Sequence, residues 1–304
     1  MNTQFKANLM LLIVTIFLGS SYLFMKMSLA GIQEFNLIAL RFGMAFILAG
    51  IVFHQRLIHA DSNTIKYAFL LGSILFLVFA SITFGLKSTT ASNAGFLVSL
   101  TVIFVPLLLA IFLRKMPDKR ILFGVLLAFT GISFLTLNHQ LKISSGDFFC
   151  ILGALFYALH IIVTGKLTKD VDSITLGVVQ LGFTGAWGLL FSILFETPQL
   201  PSTTETWLSV LGLGVLCSAI GFVVQTVAQK STTPTHTGLL FSLEPVFAAC
   251  FAFAFAGEIL TTKGYLGAFL VLLGVLTAEI DMKSLLMKKG CNQKIKSLKQ
   301  PNNQ

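Results

Sequence analysis

Long stretches without charged residues recur along the whole chain and constrain its fold more than any other feature. Ten such stretches cover residues 7–25, 42–53, 67–86, 88–113, 121–141, 148–165, 173–195, 206–229, 231–257 (broken only by Glu244) and 264–278. Most reach the ~18 residues that a helix needs to cross a membrane. Only 11% of the 304 residues are charged, against roughly 25% in a soluble domain. The sequence therefore predicts an all-α integral membrane protein with ten transmembrane helices.

The basic residues predict how these helices are oriented. With the N-terminus inside, the inner segments hold 16 Lys and Arg, six of them after Asp281, and the outer segments hold four. Basic loops stay in the cytoplasm, so both termini are predicted to be cytoplasmic, in a multi-pass protein of the cell (inner) membrane. The net charge of +9 then reflects topology and lipid contact, and no nucleic-acid partner is expected.

The second half of the chain repeats the first. Residues 87–136 and 230–279 share 13 identities in 50 positions, including a run of four, Lys-Ser-Thr-Thr, and three glycines in one register. The predicted units are 7–137, 146–281 and a basic cytoplasmic tail, 282–304. Each half holds five helices, an odd number, so the second half enters the membrane in the opposite orientation. This predicts two inverted five-helix repeats around a central cavity, an arrangement typical of transporters.

Short motifs along the chain resemble those of the drug/metabolite transporter superfamily, EamA type. They are Gly-Ser-Ser-Tyr-Leu-Phe-Met-Lys at 19–26, Arg-Phe at 41–42, Ser-Leu-Glu-Pro-Val-Phe at 242–247, Gly-Glu at 257–258 and the glycine-bounded segment 267–274. The resemblance implies ten helices, a central cavity and movement of small metabolites, often outward. The chain departs from the family at Leu18, where Trp is frequent, and at Thr101, whose repeat mate is Glu244.

Glu244 is the strongest candidate for a functional side chain. It follows Pro234 by ten residues, which at ~1.5 Å per residue places it near the middle of the bilayer. It either faces a cavity and binds a cationic substrate group or a proton, or is protonated and hydrogen-bonded between helices. Pro245 cannot donate to the preceding turn and is a hinge candidate, as is Pro106 in the fourth helix.

Arg41 is the second charged candidate, seven residues after Glu34 on the second helix. It is able to pair with a substrate carboxylate or with Glu244, or to extend to the outer interface as a topology anchor. Its repeat mate is Gln180, a neutral hydrogen-bonding residue.

Lys26 and His160 are equivalent in the repeat and are candidates for the two gates, with anchoring and packing as the alternative roles. Further polar side chains that would line a cavity, or otherwise bond between helices, are Tyr22, Tyr157, Asn93, His236, Gln225 and Gln229.

These observations favour a secondary transporter that moves a small metabolite, such as an amino acid, amine or drug-like solute, across the cytoplasmic membrane by alternating access. Export is the expected direction. The chain has no Walker-type phosphate-binding loop, and its cysteines and histidines are not spaced for metal binding. No catalytic residue, cofactor or metal is therefore expected. The expected partners are the substrate, membrane lipid, a coupling proton and a second copy in a homodimer. A membrane-embedded enzyme and a channel are the alternatives.

Overall fold

The computed structural model describes residues 3–89, 91–113, 119–136, 145–256 and 262–279, and the regular secondary structure within these ranges is helical. The helices are α1 (Thr3–Ser28), α2 (Glu34–Val52), α3 (His54–Ile58), α4 (Ser62–Ser88), α5 (Ala91–Ser99), α6 (Thr101–Leu113), α7 (Lys119–Thr136), α8 (Ser145–Leu167), α9 (Ser173–Phe195), α10 (Thr204–Gly212), a π-helical segment (Leu213–Ile220), α11 (Gly221–Gln229), α12 (Pro234–Phe241), α13 (Glu244–Ala256) and α14 (Thr262–Glu279).

Eight segments of the described chain are long and apolar enough to cross a membrane. Three of them combine consecutive elements: α5 with α6, α10 with the π-helical segment and α11, and α12 with α13. The other two predicted spans fall on α7 and α14. Within α14, the apolar stretch Tyr265–Gly274 is shorter than the length needed to cross a membrane. The multi-pass membrane fold is thus confirmed, and the count of ten spans stays a prediction.

Two of the spans are interrupted at equivalent positions of the repeat. The break between α5 and α6 falls at Leu100, and the break between α12 and α13 falls at Ser242 and Leu243. Leu100 and Leu243 are 143 residues apart, the offset of the repeat. Each break is therefore followed by a half-helix, which begins with Thr101 in one half and Glu244 in the other. Discontinuous helices of this kind surround the binding sites of many transporters.

Helices α7 and α14 pack through four glycines in a reciprocal pattern. A Cβ atom added at Gly131 would lie 2.5 Å from the carbonyl oxygen of Gly267, and one added at Gly274 would lie 2.6 Å from that of Gly124. In the repeat, Gly124 corresponds to Gly267 and Gly131 to Gly274. The two helices are thus antiparallel. A twofold rotation about an axis perpendicular to both helices would exchange one glycine contact with the other. Close approach of this kind needs glycine because any side chain would strike backbone.

We call the membrane side on which α1 begins the N-terminal face and the other side the opposite face. The N-terminal face contains α3 and the loops that follow α8 and α11, and the opposite face contains the loops that follow α1, α4 and α9.

Candidate functional site

Two adjoining cavities lie at the centre of the helix bundle and share Val98, Tyr157 and Glu244. The first is also lined by Leu18, Ser21, Tyr22, Met25, Val78, Phe79 and Ile82. The second is too narrow for a water molecule and is also lined by Ser99, Thr101, Gly238 and Phe241. Repeat mates Thr101 and Glu244 thus meet at one cavity. The first cavity has room for about one water molecule, so the side chains are closed around it.

Glu244 is held at this position by α1. Its side chain lines the first cavity together with that of Tyr22 on α1, and the two residues are 5% and 2% exposed. Helix α1 approaches closely because residue 19 is glycine: a Cβ there would lie 2.7 Å from Cβ of Phe247 and 3.0 Å from the backbone oxygen of Glu244. Tyr22, one turn further along α1, is thereby brought within reach of the carboxylate.

Arg41 lies one side-chain layer away from the same cavity and is 1% exposed. Its Nε donates to Ser218 Oγ at 2.5 Å, Nη1 donates to Met25 Sδ at 3.4 Å, and the guanidinium carbon lies 4.2 Å from the ring centre of Phe79. Met25 and Phe79 both line the first cavity. Arg41 is therefore packed in the interior rather than extended to either face.

Arg41 and Glu244 are both buried, but they do not form an ion pair with each other. Within the described chain, ion pairs join Lys87 to Glu34 and Arg56 to Asp172, and none joins Arg41 to Glu244. Nη2 of Arg41 has no hydrogen-bond partner among the described residues. Glu244 thus lines the cavity, and Arg41 lies behind Met25 and Phe79 with one donor left over, an arrangement that suits a ligand offering both signs of charge.

The π-helical segment brings Ser218 to Arg41. It occupies the middle of the Thr204–Gln229 span, and such wide turns are frequent at functional sites. Cys217, the preceding residue, donates from Sγ to the backbone oxygen of Phe17 at 3.2 Å. The segment is therefore attached through Cys217 to α1, which lines the first cavity, and through Ser218 to Arg41 of α2.

Polar contacts join the helices at the opposite face. Lys26 Nζ, at the end of α1, donates to the backbone oxygens of Leu86 (2.7 Å) and Thr89 (3.0 Å) at the end of α4. Lys87, also at the end of α4, forms an ion pair with Glu34 at the start of α2. Lys26 thus links α1 to α4 on the side of the cavity where a gate was predicted.

At the N-terminal face, Arg56 Nη1 lies 3.1 Å from Asp172 Oδ1. Asp172 also caps α9 by accepting from the Thr175 backbone N–H at 3.0 Å. Partial burial raises the pKa of Asp172, but the hydrogen bonds from Thr175 and the charge of Arg56 outweigh it, so the pKa lies below its usual value of 3.8. Both side chains are about half exposed, and such pairs contribute little stability, about 0–1 kcal/mol.

His160 and Gln180, which sequence analysis treated separately, are hydrogen-bonded to each other at 3.0 Å. Both are fully buried. Tyr157 extends this polar region to the cavity, because its hydroxyl donates to Gln225 Oε1 at 3.4 Å. Gln225 in turn donates to Gln229 at 3.3 Å. Gln225 and Gln229 therefore form one hydrogen-bonded chain with Tyr157, and His160 and Gln180 form a second, separate group on the N-terminal side of Glu244.

The remaining candidates lie elsewhere. His236 is in the first turn of α12, where its backbone N–H donates to Thr233 at 3.3 Å, and it does not line either cavity. The side chain of Asn93 lies outside the described residues. Pro245 is the second residue of α13, next to a helix break, whereas Pro106 is buried in the interior of α6, beyond its break.

Sequence analysis missed Met25, Phe79 and Ser218, the three residues that surround Arg41. Phe79 and Ser218 have apolar neighbours in sequence and belong to no motif, and Met25 belongs to the motif at 19–26 only as one of its apolar residues. Only the packing of α1, α4 and the π-helical segment around Arg41 identifies them. Among the described residues, no group of three or more His, Cys, Asp or Glu could hold a metal ion.

A multi-pass helical protein with paired interrupted helices and buried charges at its centre has the architecture of a membrane transporter. Comparison with known proteins gives the family. A model of the EamA-like transporter family matches twice, at residues 5–137 and 144–278. The chain belongs to the EamA-like transporter family and is a membrane transporter built of two repeats.

Similar proteins support this assignment. An uncharacterized transporter of Archaeoglobus fulgidus is 30% identical over 274 residues, which cover 90% of this chain and 86% of the relative. A second one from the same organism is 28% identical over 258 residues, 82% of this chain and 88% of the relative. A crystal structure superposes with a TM-score of 0.78 over 92% of this chain and 98% of the other, at 17% identity. That likeness concerns the fold alone.

Proposed function

We propose that this protein is a secondary transporter that moves a small metabolite by alternating access around a single site at Glu244 and Arg41. The observation that carries the proposal is the closed cavity lined by buried Glu244 next to two interrupted helices, with buried Arg41 one side-chain layer away and not paired with Glu244. Breaks at equivalent positions allow each half to bend independently, so that the cavity opens first to one face and then to the other. Lys26 belongs to the gate at the opposite face and His160 to the one at the N-terminal face.

The two charges favour a zwitterionic substrate, such as a neutral amino acid. Glu244 would bind the ammonium group, and Nη2 of Arg41 would bind the carboxylate once the flexible side chain of Met25 moves aside. A simple amine would leave Arg41 unpaired in a region of low dielectric, and a simple acid would leave Glu244 unpaired. Leu18, Val78 and Ile82 line the first cavity and favour an apolar substrate side chain.

Export in exchange for a proton completes the proposal. Outward movement follows the resemblance to the family, and Glu244 is the group that would take up the proton when the substrate has left. One carboxylate alternating between an ammonium group and a proton couples the two movements without a second titrating residue, since its repeat mate Thr101 is neutral.

The test is flux into proteoliposomes, with and without a proton gradient. A panel of neutral L-amino acids is compared with the amines and the acids obtained by removing one charged group from each. We expect the amino acids to be transported and their one-charge counterparts to compete at least tenfold more weakly, as the loss of about 1.5–3 kcal/mol per charged hydrogen bond predicts. Chemical conversion of a solute without movement across the membrane would refute a transport function.

Variants assign each charge to its residue. Glu244→Gln should abolish discrimination between an amino acid and its deaminated acid, and Arg41→Gln should abolish discrimination between an amino acid and its decarboxylated amine. Thr101→Ala is the matched control at the same cavity and should preserve both. If the amine is preferred by the unmodified protein, the substrate is a cation and Arg41 has no part in binding it.

A further inference from the structure

A band of buried polar side chains lies between Glu244 and the N-terminal face. It is formed by α8, α9, α11 and the start of α12, all in the second half of the chain. Its members are 0–9% exposed and comprise Tyr157, His160, Thr164, Gln180, Gln225, Thr226, Gln229 and Thr232. All are neutral amide, hydroxyl or imidazole side chains, which are costly in a membrane interior unless they are hydrogen-bonded.

Hydrogen bonds within the band fix the proton position on His160. Thr226 Oγ1 donates to the backbone oxygen of Phe222 at 2.7 Å, so it accepts from Gln180 Nε2 at 2.9 Å. The amide oxygen of Gln180 therefore faces His160, and His160 Nε2 must be the N–H donor at 3.0 Å. In the neutral imidazole, Nδ1 is then a bare acceptor.

Three polar atoms of the band have no partner among the described residues: His160 Nδ1, Thr164 Oγ1 and Thr232 Oγ1. His160 and Thr164 are four residues apart on α8, so their side chains occupy the same helix face. Thr232 belongs to the loop between α11 and α12, and both ends of this loop contact α8. Gln229 Nε2 donates to the backbone oxygen of Ile161 at 3.1 Å, and Pro234 would lie 3.0 Å from a Cβ at Gly165.

We propose that His160 Nδ1 and Thr164 Oγ1 bind a water molecule that belongs to a hydrated track from the N-terminal face past Thr232 towards Tyr157. A water molecule donates to Nδ1 and bonds to the Thr164 hydroxyl, which satisfies two of these atoms at once. Small size and the ability to donate and accept together suit this site to water. No carboxylate belongs to the band, so a metal cation has no charged ligand there.

The track has a role that rests on the proposed function. Protons reach Glu244 from the N-terminal face along water, and Tyr157 connects the last water to the cavity. The cavity at Glu244 is lined by Leu18, Met25 and Ile82 and also by Ser21 and Tyr22. The track that we propose gives its carboxylate water access from the N-terminal face.

Hydroxyl-radical labelling by short X-ray pulses tests the water site on the unmodified protein in lipid nanodiscs. Radicals formed from bound water oxidise the side chains next to it, even when those side chains are buried. We expect oxidation of His160 at least fivefold faster than that of Phe42, which is equally buried (0% exposed), after correction for intrinsic reactivity. Equal protection of His160 and Phe42 would overturn the proposal.

Two variants test the track. Thr164→Val removes one water ligand and should abolish fast oxidation of His160, whereas Thr184→Val should not, because the buried Thr184 hydroxyl is bonded to the backbone oxygens of Gly72 and Gln180. If ¹⁸O-water is mixed in rapidly just before the X-ray pulse, oxidised His160 should already carry the isotope at the shortest mixing time. Thr232→Leu should slow the appearance of the isotope in His160. Slow transfer in the unmodified protein would mean an isolated water and no track. This readout does not require transport, so it stands or fails separately from the proposed function.

Discussion

Gly19→Ala should disrupt the candidate site through a single methyl group. The added Cβ would lie 2.7 Å from Cβ of Phe247, 3.0 Å from the backbone nitrogen of Ala248 and 3.0 Å from the backbone oxygen of Glu244. Two of these atoms are backbone atoms of α13, so α1 and α13 must move apart. Overpacking of this kind costs about 1–3 kcal/mol, against a helix-propensity gain of about 0.5–1 kcal/mol for alanine. We expect a net loss of about 1–2 kcal/mol.

Gly43→Ala is the matched control, because a Cβ at that position meets no atom within 4 Å. This substitution should be neutral or slightly stabilising, because it gains the higher helix propensity of alanine without a steric clash. Thermal unfolding followed with a thiol-reactive fluorescent dye measures both variants, since Cys150 and Cys217 are buried in the folded protein. Transport should fall in Gly19→Ala because Tyr22 is moved away from Glu244. Equal stability of the two variants would show that α1 and α13 do not approach as described.

Further predictions concern the charged groups and the tail. Glu244→Gln should insert and fold normally but transport more slowly or with a flatter pH profile, whereas Thr101→Ala should have a smaller effect. A wild-type rate and pH profile in Glu244→Gln would mean that Glu244 serves only as an interhelical hydrogen-bonding residue. Lys26→Met should increase solvent access to the cavity from the opposite face, measured by labelling, and unchanged access would remove Lys26 from the gate. The lowered pKa of Asp172 stabilises the fold above its usual value of 3.8 and that contribution is lost as pH falls through the lower folded value, so Asp172→Asn should flatten the acid limb of thermal stability. Deletion after Asp281 should leave flux unchanged, and loss of flux with normal expression would contradict this.

Most of the membrane fold is predictable because apolar length is a property of each helix alone. The second helix shows the limit of apolar length alone: its uncharged stretch is 42–53, whereas α2 begins at Glu34, the residue from which the position of Arg41 on this helix was counted. The helix extends across two charged residues because Lys87 pairs with Glu34 and because Arg41 is packed against Ser218, Met25 and Phe79. Both are tertiary contacts between distant parts of the chain, which hydropathy does not report.

The candidate site is predictable to the extent that it contains rare residues. Glu244 is the one acidic residue in its apolar stretch, so the cost of burial alone singles it out, and Tyr22 belongs to a motif. His236 is polar and lies on the same span, yet it is in the first turn of α12 near the N-terminal face. Its distance from the cavity follows from where α12 begins, at Pro234, and residue type alone carries no such information.

The reciprocal contact between α7 and α14 has a consequence for the origin of the chain. Gly124 and Gly131 are seven residues apart, as are their mates Gly267 and Gly274, and each contact joins the first glycine of one helix to the second glycine of the other. Helix α7 therefore carries both sides of the contact in its own sequence. Two copies of the first half, inserted in opposite orientations, would meet through the same pair of glycine contacts. The contact between α7 and α14 is thus one that two copies of α7 in opposite orientations could form with each other.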